Sequence, residues 1–190
     1  MQSILVFCGS SKGFSPIYEA AARELGHLLA ERDFTTVYGA GNVGLMGVLA
    51  DAALEKGGRV IGVIPEFLKV KEVCHHALSE LHVVQTMDER KKKMAAISDA
   101  VIALAGGFGT LDELFEMATL VQLGQDAQPI GLLNTNGFFN PLIQQIDVMI
   151  TEGFVKEAQR DLILVDTDAN RLLDRLVAHQ VETMDKWVGR

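Results

Sequence analysis

Three features of this sequence combine residue types and spacings that do chemistry: a glycine turn, an acid shortly beyond it, and an arginine inside an apolar stripe. Ala105-Gly106-Gly107-Phe108-Gly109 follows a short apolar run, 100–103, and precedes a stretch from Thr110 that predicts a helix with almost no polar face. A strand, a glycine turn and a helix start in that order make an anion site. The glycines let the main chain approach a ligand, and the free N–H groups of a first helical turn point at it. Phosphate is the anion that suits such a turn. Thr110-x-x-Glu113 supports two roles for the acid. In a capping box Thr110 caps the helix and Glu113 folds back to the Thr110 amide, where the helix dipole also favours a carboxylate. A phosphate at the same helix end competes with that fold-back and frees Glu113 to face the rest of the ligand. Arg90 shares one helix face with Met87, Met94 and Ile97, so it interrupts a stripe that should pack on the sheet. Either its stem packs while the head reaches a rim and pairs with a carboxylate, or the guanidinium is held at the strand edge to grip a substrate.

These residues need a frame, and the chain supplies one. Apolar runs at 3–8, 35–38, 59–64, 81–84, 100–103, 130–133 and 162–165 predict buried strands. Between them lie helical stretches at about 16–32, 44–56, 87–98, 110–123, 140–152 and 169–186, with a loop and a short helix within 66–80. Strictly alternating strands and helices give an α/β fold: a Rossmann-like three-layer sandwich, its parallel sheet covered by helices on both faces. Ligands bind such sheets beyond the carboxyl ends of the strands, where the glycine turns beginning at Gly9, Gly39 and Gly106 fall. The length of 190 residues fits one domain spanning 1–190. Composition is that of an ordinary soluble protein, and the net charge of −8 argues against nucleic acid or an anionic membrane as partner. A phosphorylated ligand is then drawn in by local cations. Cys8 and Cys74 predict two inert reduced thiols, and no stretch reads as a membrane span or a secretion signal, so the expected location is the cytoplasm.

Gly106-Gly107-Phe108-Gly109-Thr110-Leu111-Asp112-Glu113 resembles the P-G-G-x-G-T-x-x-E signature of the LOG ("lonely guy") family of cytokinin-activating phosphoribohydrolases, and Met87-Asp88-Glu89-Arg90-Lys91 resembles that family's M-x-x-R-K motif. Landmarks from Val6-Phe7-Cys8-Gly9-Ser10-Ser11 through Gly44-Leu45-Met46-Gly47 to Gly131-Leu132-Leu133-Asn134 keep the family's order, so the resemblance covers nearly the whole chain. Ala105 replaces the motif's proline, which costs the turn some stiffness. The resemblance implies hydrolysis of the N-glycosidic bond of adenosine 5′-monophosphate-type nucleotides, cytokinin nucleotides and AMP, to free base and ribose 5-phosphate. It implies that Glu113 is catalytic and that Arg90 holds the substrate. It also places Lys91, Leu111, Asp112, Thr119 and, at the base end, Glu72 among the binding residues. The phosphate would dock on Gly106 to Thr110, with Gly9 and Ser10 closing the site. The family is commonly homodimeric, with sites near the interface, and the apolar helix from Thr110 suits a partner subunit.

Other readings compete. Gly39-x-Gly41-x-x-Gly44 fits the dinucleotide fingerprint, but it follows the second strand, and its ribose acid would have to be Glu66, just past Pro65. Relatives on the same fold carry the molybdenum cofactor, so a non-catalytic carrier is the alternative; a carrier has no use for a carboxylate beside a bound anion. The motif has also been labelled lysine decarboxylase, yet no lysine here stands out as a pyridoxal-phosphate attachment point. Cys74-His75-His76 are consecutive and diverge too much to share a metal, and His27, His82 and His179 have no paired spacing. No metal and no cofactor are expected.

Overall fold

The computed structural model describes residues 1–69 and 74–179. Seven short runs form strands. The inner ones are apolar because both of their faces are covered, whereas the fourth, Glu80–Val84 at the sheet edge, leaves Leu81 and Val83 exposed. The strands are β1 (Ser3–Phe7), β2 (Thr35–Tyr38), β3 (Val60–Pro65), β4 (Glu80–Val84), β5 (Ala100–Ala103), β6 (Ile130–Leu133) and β7 (Ile163–Asp166). They make one parallel sheet in the order β4-β3-β2-β1-β5-β6-β7. The helices are α1 (Pro16–Glu31), α2 (Gly44–Glu55), α3 (Glu66–Lys69), α4 (Met87–Ala96), α5 (Phe108–Gln122), α6 (Asn140–Thr151) and α7 (Ala169–Ala178). The fold is the expected Rossmann-like α/β sandwich. The closing helix was expected to run to about residue 186; α7 is described to Ala178, and residues 180–190 lie outside the described part.

Side-chain alternation in β1 shows how the layers divide. Ile4 and Val6 pack with Leu25 and Leu29 of α1, Leu49 of α2 and Leu172 and Leu176 of α7. Leu5 and Phe7 face the other way, against Met94 of α4 and Leu114, Met117 and Val121 of α5. The chain therefore winds in one direction from β1 to β4 and then returns to the far side of β1 as β5. The gap between the carboxyl ends of β1 and β5 is the topological switch point, the place where such sheets bind ligands. Here the turns after the two strands are joined, Gly9 N–H donating to the Ala105 carbonyl at 3.1 Å. The start of α2 is tied to the same place, Leu45 N–H donating to the Gly9 carbonyl at 3.0 Å. Among the described residues no helix is long and apolar enough to cross a membrane.

Candidate active site

A cavity of about 310 Å³ opens beyond β1, β2 and β5. Its walls are Cys8, Gly9 and Ser10 after β1, Gly39 after β2, Met46 of α2, Met87 and Arg90 of α4, and Gly107, Phe108, Gly109, Thr110 and Glu113 at the start of α5. The glycine turn is placed as expected, but the helix begins earlier. Gly107 is the N-cap and α5 starts at Phe108, so Thr110 is the third helical residue and is buried. The capping box does not form: Glu113 lies in the second turn and lines the cavity instead of returning to the Thr110 amide. The N–H groups of Phe108, Gly109 and Thr110 are the first-turn donors that an α-helix leaves without internal partners. Gly106 sits behind this turn. A Cβ there would stand 2.1 Å from Thr110 Oγ1 and 3.0 Å from Gly9 N, so only glycine lets the turns after β1 and β5 close on each other.

Arg90 arrives from α4, whose start is fixed on both sides. Thr86 Oγ1 accepts from Glu89 N–H at 3.1 Å, and the Glu89 carboxylate accepts from Gln85 N–H at 2.8 Å. The arginine is 7% exposed, so it does not reach a rim. Its Nε donates to the Val63 carbonyl at 3.1 Å and its Nη2 to the Gly39 carbonyl at 2.8 Å. Two main-chain oxygens thus hold the cation without neutralising it. A third N–H, on Nη1, donates to Met87 Sδ at 3.8 Å. Guanidinium carries five N–H donors, so two remain, and Arg90 lines the cavity. The space over Gly39 is filled by this guanidinium, a Cβ there standing 1.9 Å from Nη2. The space over Gly41, where a pyrophosphate would have to approach in a dinucleotide site, is filled by Met46, whose Cε would stand 2.8 Å from a Cβ on Gly41.

Burial pushes the Glu113 carboxyl up to about 7; Arg90 and Lys91 pull the other way, and Asp112 and Glu116 add to the rise. A carboxyl poised near neutrality can hold or release a proton at working pH and, once ionised, stabilise a developing cation. Cys8 beside it is the opposite case. Burial, and then the Glu113 charge, push its thiol well above the ordinary range, so it stays protonated and unreactive.

Other expected site residues fall outside this cavity. Lys91 Nζ pairs with Asp112 at 3.2 Å and Glu116 at 2.5 Å, and the Glu116 and Asp112 bonds raise its pKa. Lys91, Leu111, Asp112 and Thr119 gather with Phe108 and Phe115 along an open groove on the outer side of α5. The Thr119 hydroxyl donates to the Phe115 carbonyl at 2.7 Å. Glu72 lies outside the described residues. The sequence did not point to Met46 or Leu68 as walls, nor to Gly39 as the seat of Arg90. Gly39 carried a visible signal, a glycine turn after a strand, but the partner it admits lies 51 residues away. Among the described residues no three of His, Cys, Asp and Glu converge as a metal would need.

A family model described as "Possible lysine decarboxylase" matches residues 46–176. The cytokinin riboside 5′-monophosphate phosphoribohydrolase LOG of Oryza sativa subsp. japonica is 46% identical over 173 residues, covering 91% of this chain and 72% of its own. The chain belongs to the LOG family. A second LOG relative, the cytokinin riboside 5′-monophosphate phosphoribohydrolase LOG7 of Arabidopsis thaliana, is 44% identical over 179 residues, 94% of this chain and 82% of its own. Among solved structures, the molybdenum cofactor carrier protein MCP of Chlamydomonas reinhardtii aligns with a TM-score of 0.70 at 22% identity, covering 94% of this chain and 99% of that one. The molybdenum cofactor binding protein of Rippkaea orientalis aligns with a TM-score of 0.69 at 21% identity, covering 94% and 97%. At such identities these two share the LOG-family fold, and the likeness speaks to nothing beyond it.

Proposed function

We propose that this LOG-family chain, acting as one nucleotide-binding domain, is a phosphoribohydrolase that cleaves the N-glycosidic bond of cytokinin riboside 5′-monophosphates and AMP. One observation carries the reading: a carboxyl raised to about 7 lines the same cavity as a buried, un-neutralised arginine and the start of α5. The 5′-phosphate would seat on the N–H groups of Phe108, Gly109 and Thr110, with Gly9 and Ser10 opposite and Arg90 offsetting its charge. The ribose then lies toward Glu113, one turn further into the helix. As the bond to the base lengthens, positive charge builds on the ribose ring. Ionised Glu113 stabilises that charge and orients the water that attacks C1′. Water adds across the broken bond: its oxygen goes to C1′ and one of its protons to the departing base.

The relatives' names support this choice of substrate, and Glu113 argues against a carrier, in which a carboxylate beside the bound anion only weakens binding. Incubation with AMP and with isopentenyl-AMP tests it. Free base and ribose 5-phosphate should appear in equal amounts from both; if neither nucleotide yields base, the assignment fails.

A homodimer is part of the same proposal. No residue of α6 is buried, and Phe115, Ile143, Ile146 and Met149 line an apolar groove of about 420 Å³ between α5 and α6. It runs alongside the Lys91–Thr119 groove, so a second copy seated there would bring Thr119 against covered surface. Light scattering should give twice the chain mass, and a monomer at micromolar concentration would refute this part. The two free, buried thiols suit a reducing cytoplasm.

A further inference from the structure

The turn after β2 contains a residue held in an uncommon conformation. Ala40 is fully buried and sits at φ +60°, in the left-handed region that alanine seldom occupies. The φ of Ala40 helps set which way the Gly39–Ala40 peptide faces, and the carbonyl of that peptide is the one that accepts from Arg90 Nη2. A conformation of this kind persists only where its surroundings over-determine it. The surroundings here are a second piece of chain: Cys74 bridges antiparallel to Gly41, and His75 N–H donates to the Ala40 carbonyl at 3.1 Å. The Ala40–Gly41 peptide, next to the one whose carbonyl accepts from Arg90, is thus clamped by residues 74 and 75.

The His75 side chain fixes the clamp in turn. Its ring is buried, Nδ1 accepts from Ala77 N–H at 3.2 Å, and Nε2 lies 2.9 Å from Asp51 Oδ1 on α2. Because Ala77 can only donate, the ring proton is on Nε2 and is given to Asp51. One imidazole therefore ties the returning chain to α2, whose N-terminus is bonded to the turn after β1 through Leu45 N–H and the Gly9 carbonyl. Neither His75 nor Asp51 lines the cavity.

We propose that the His75–Asp51 pair is a latch that holds the Gly39–Ala40 peptide and, through it, the Arg90 guanidinium, making both positioning residues for base release. The inference rests on the proposed role of Arg90, so its test has one arm that needs no turnover. Asp51→Ala removes the acceptor, whereas Asp51→Asn keeps an oxygen at the same place. Exchange of the His75 amide and of the Arg90 Nε proton, followed by NMR, should be about tenfold faster in Asp51→Ala and near wild type in Asp51→Asn. The kcat for AMP should fall about tenfold in Asp51→Ala with KM within about twofold, and Asp51→Asn should restore it. Arg90→Lys should cost several-fold less in the Asp51→Ala background than alone, because one substitution has already released the group the other alters. Unchanged Arg90 Nε exchange in Asp51→Ala, or kinetic losses that simply multiply, would overturn the latch. If wild type releases no base while Asp51→Ala still speeds Arg90 Nε exchange, the functional assignment falls and the latch stands.

Discussion

Glu113→Gln is expected to lower base release about 10²–10³-fold while AMP still binds, as loss of one pre-organised charge typically does. Glutamine keeps the shape of the side chain and much of its hydrogen bonding, and loses the charge that a cationic ribose needs. Binding should hold or tighten slightly, since removing a carboxylate near the phosphate removes repulsion. The pH profile gives an independent check. Burial holds the Glu113 carboxyl at about 7, and the ionised form is the working one, so kcat/KM should fall on the acid side of about pH 7. The phosphate of the substrate titrates near 6, so the comparison that decides is with the Gln variant, whose residual activity should lack the limb at 7. Stability follows with its own sign. A carboxyl whose folded pKa is raised contributes stability fully present below its unfolded value of about 4, and that contribution is lost as pH rises through about 7. Glu113→Gln should therefore raise Tm relative to wild type at pH 8 and lose that advantage at pH 5. Wild-type turnover of AMP by Glu113→Gln would remove Glu113 from the mechanism.

Much of this frame is written in local patterns. Apolar runs such as 100–103 and 130–133 place the strands because a parallel strand is buried on both faces. The glycine turn and the acid beyond it are equally local. The cap is different: Thr110 with Glu113 three residues on is the stronger local signal, yet Gly107 caps α5. Closing the turn on Gly9 buries Thr110 and draws the helix start back to Phe108. Helix geometry separates the two residues of the Arg90-Lys91 pair. Successive residues diverge by about 100°, so when Arg90 faces the sheet Lys91 must face the outer groove, where Asp112 and Glu116 hold it. In sequence His75 is one of three consecutive residues, Cys74-His75-His76, with no spacing that marks a role. Its partner Asp51 lies 24 residues back on another element, and no periodicity links the two.

The same distance problem applies to Gly39, whose replacement gives the second large effect. The backbone at Gly39 is not in the left-handed region, so alanine is conformationally acceptable there and only the side chain matters. Its Cβ would stand 1.9 Å from Arg90 Nη2 and 3.0 Å from Cζ. No rotation of a methyl group relieves that overlap, so the guanidinium must move and give up the Gly39 and Val63 carbonyls. A buried cation that loses its acceptors costs about 3 kcal/mol or more, which urea denaturation would measure directly. Displacing the group that grips the nucleotide should cost about 10²-fold in kcat/KM. Loss of stability alone would not separate this cause from general damage, whereas the double variant does. In Gly39→Ala/Arg90→Ala the methyl group meets empty space, so stability should recover part of what Gly39→Ala lost while activity stays low. Additive losses in the double variant would mean that the glycine serves something other than the arginine. A Gly39→Ala protein with wild-type turnover would mean that the guanidinium works from another position, and the electrostatics assigned to the cavity would have to be rebuilt around it.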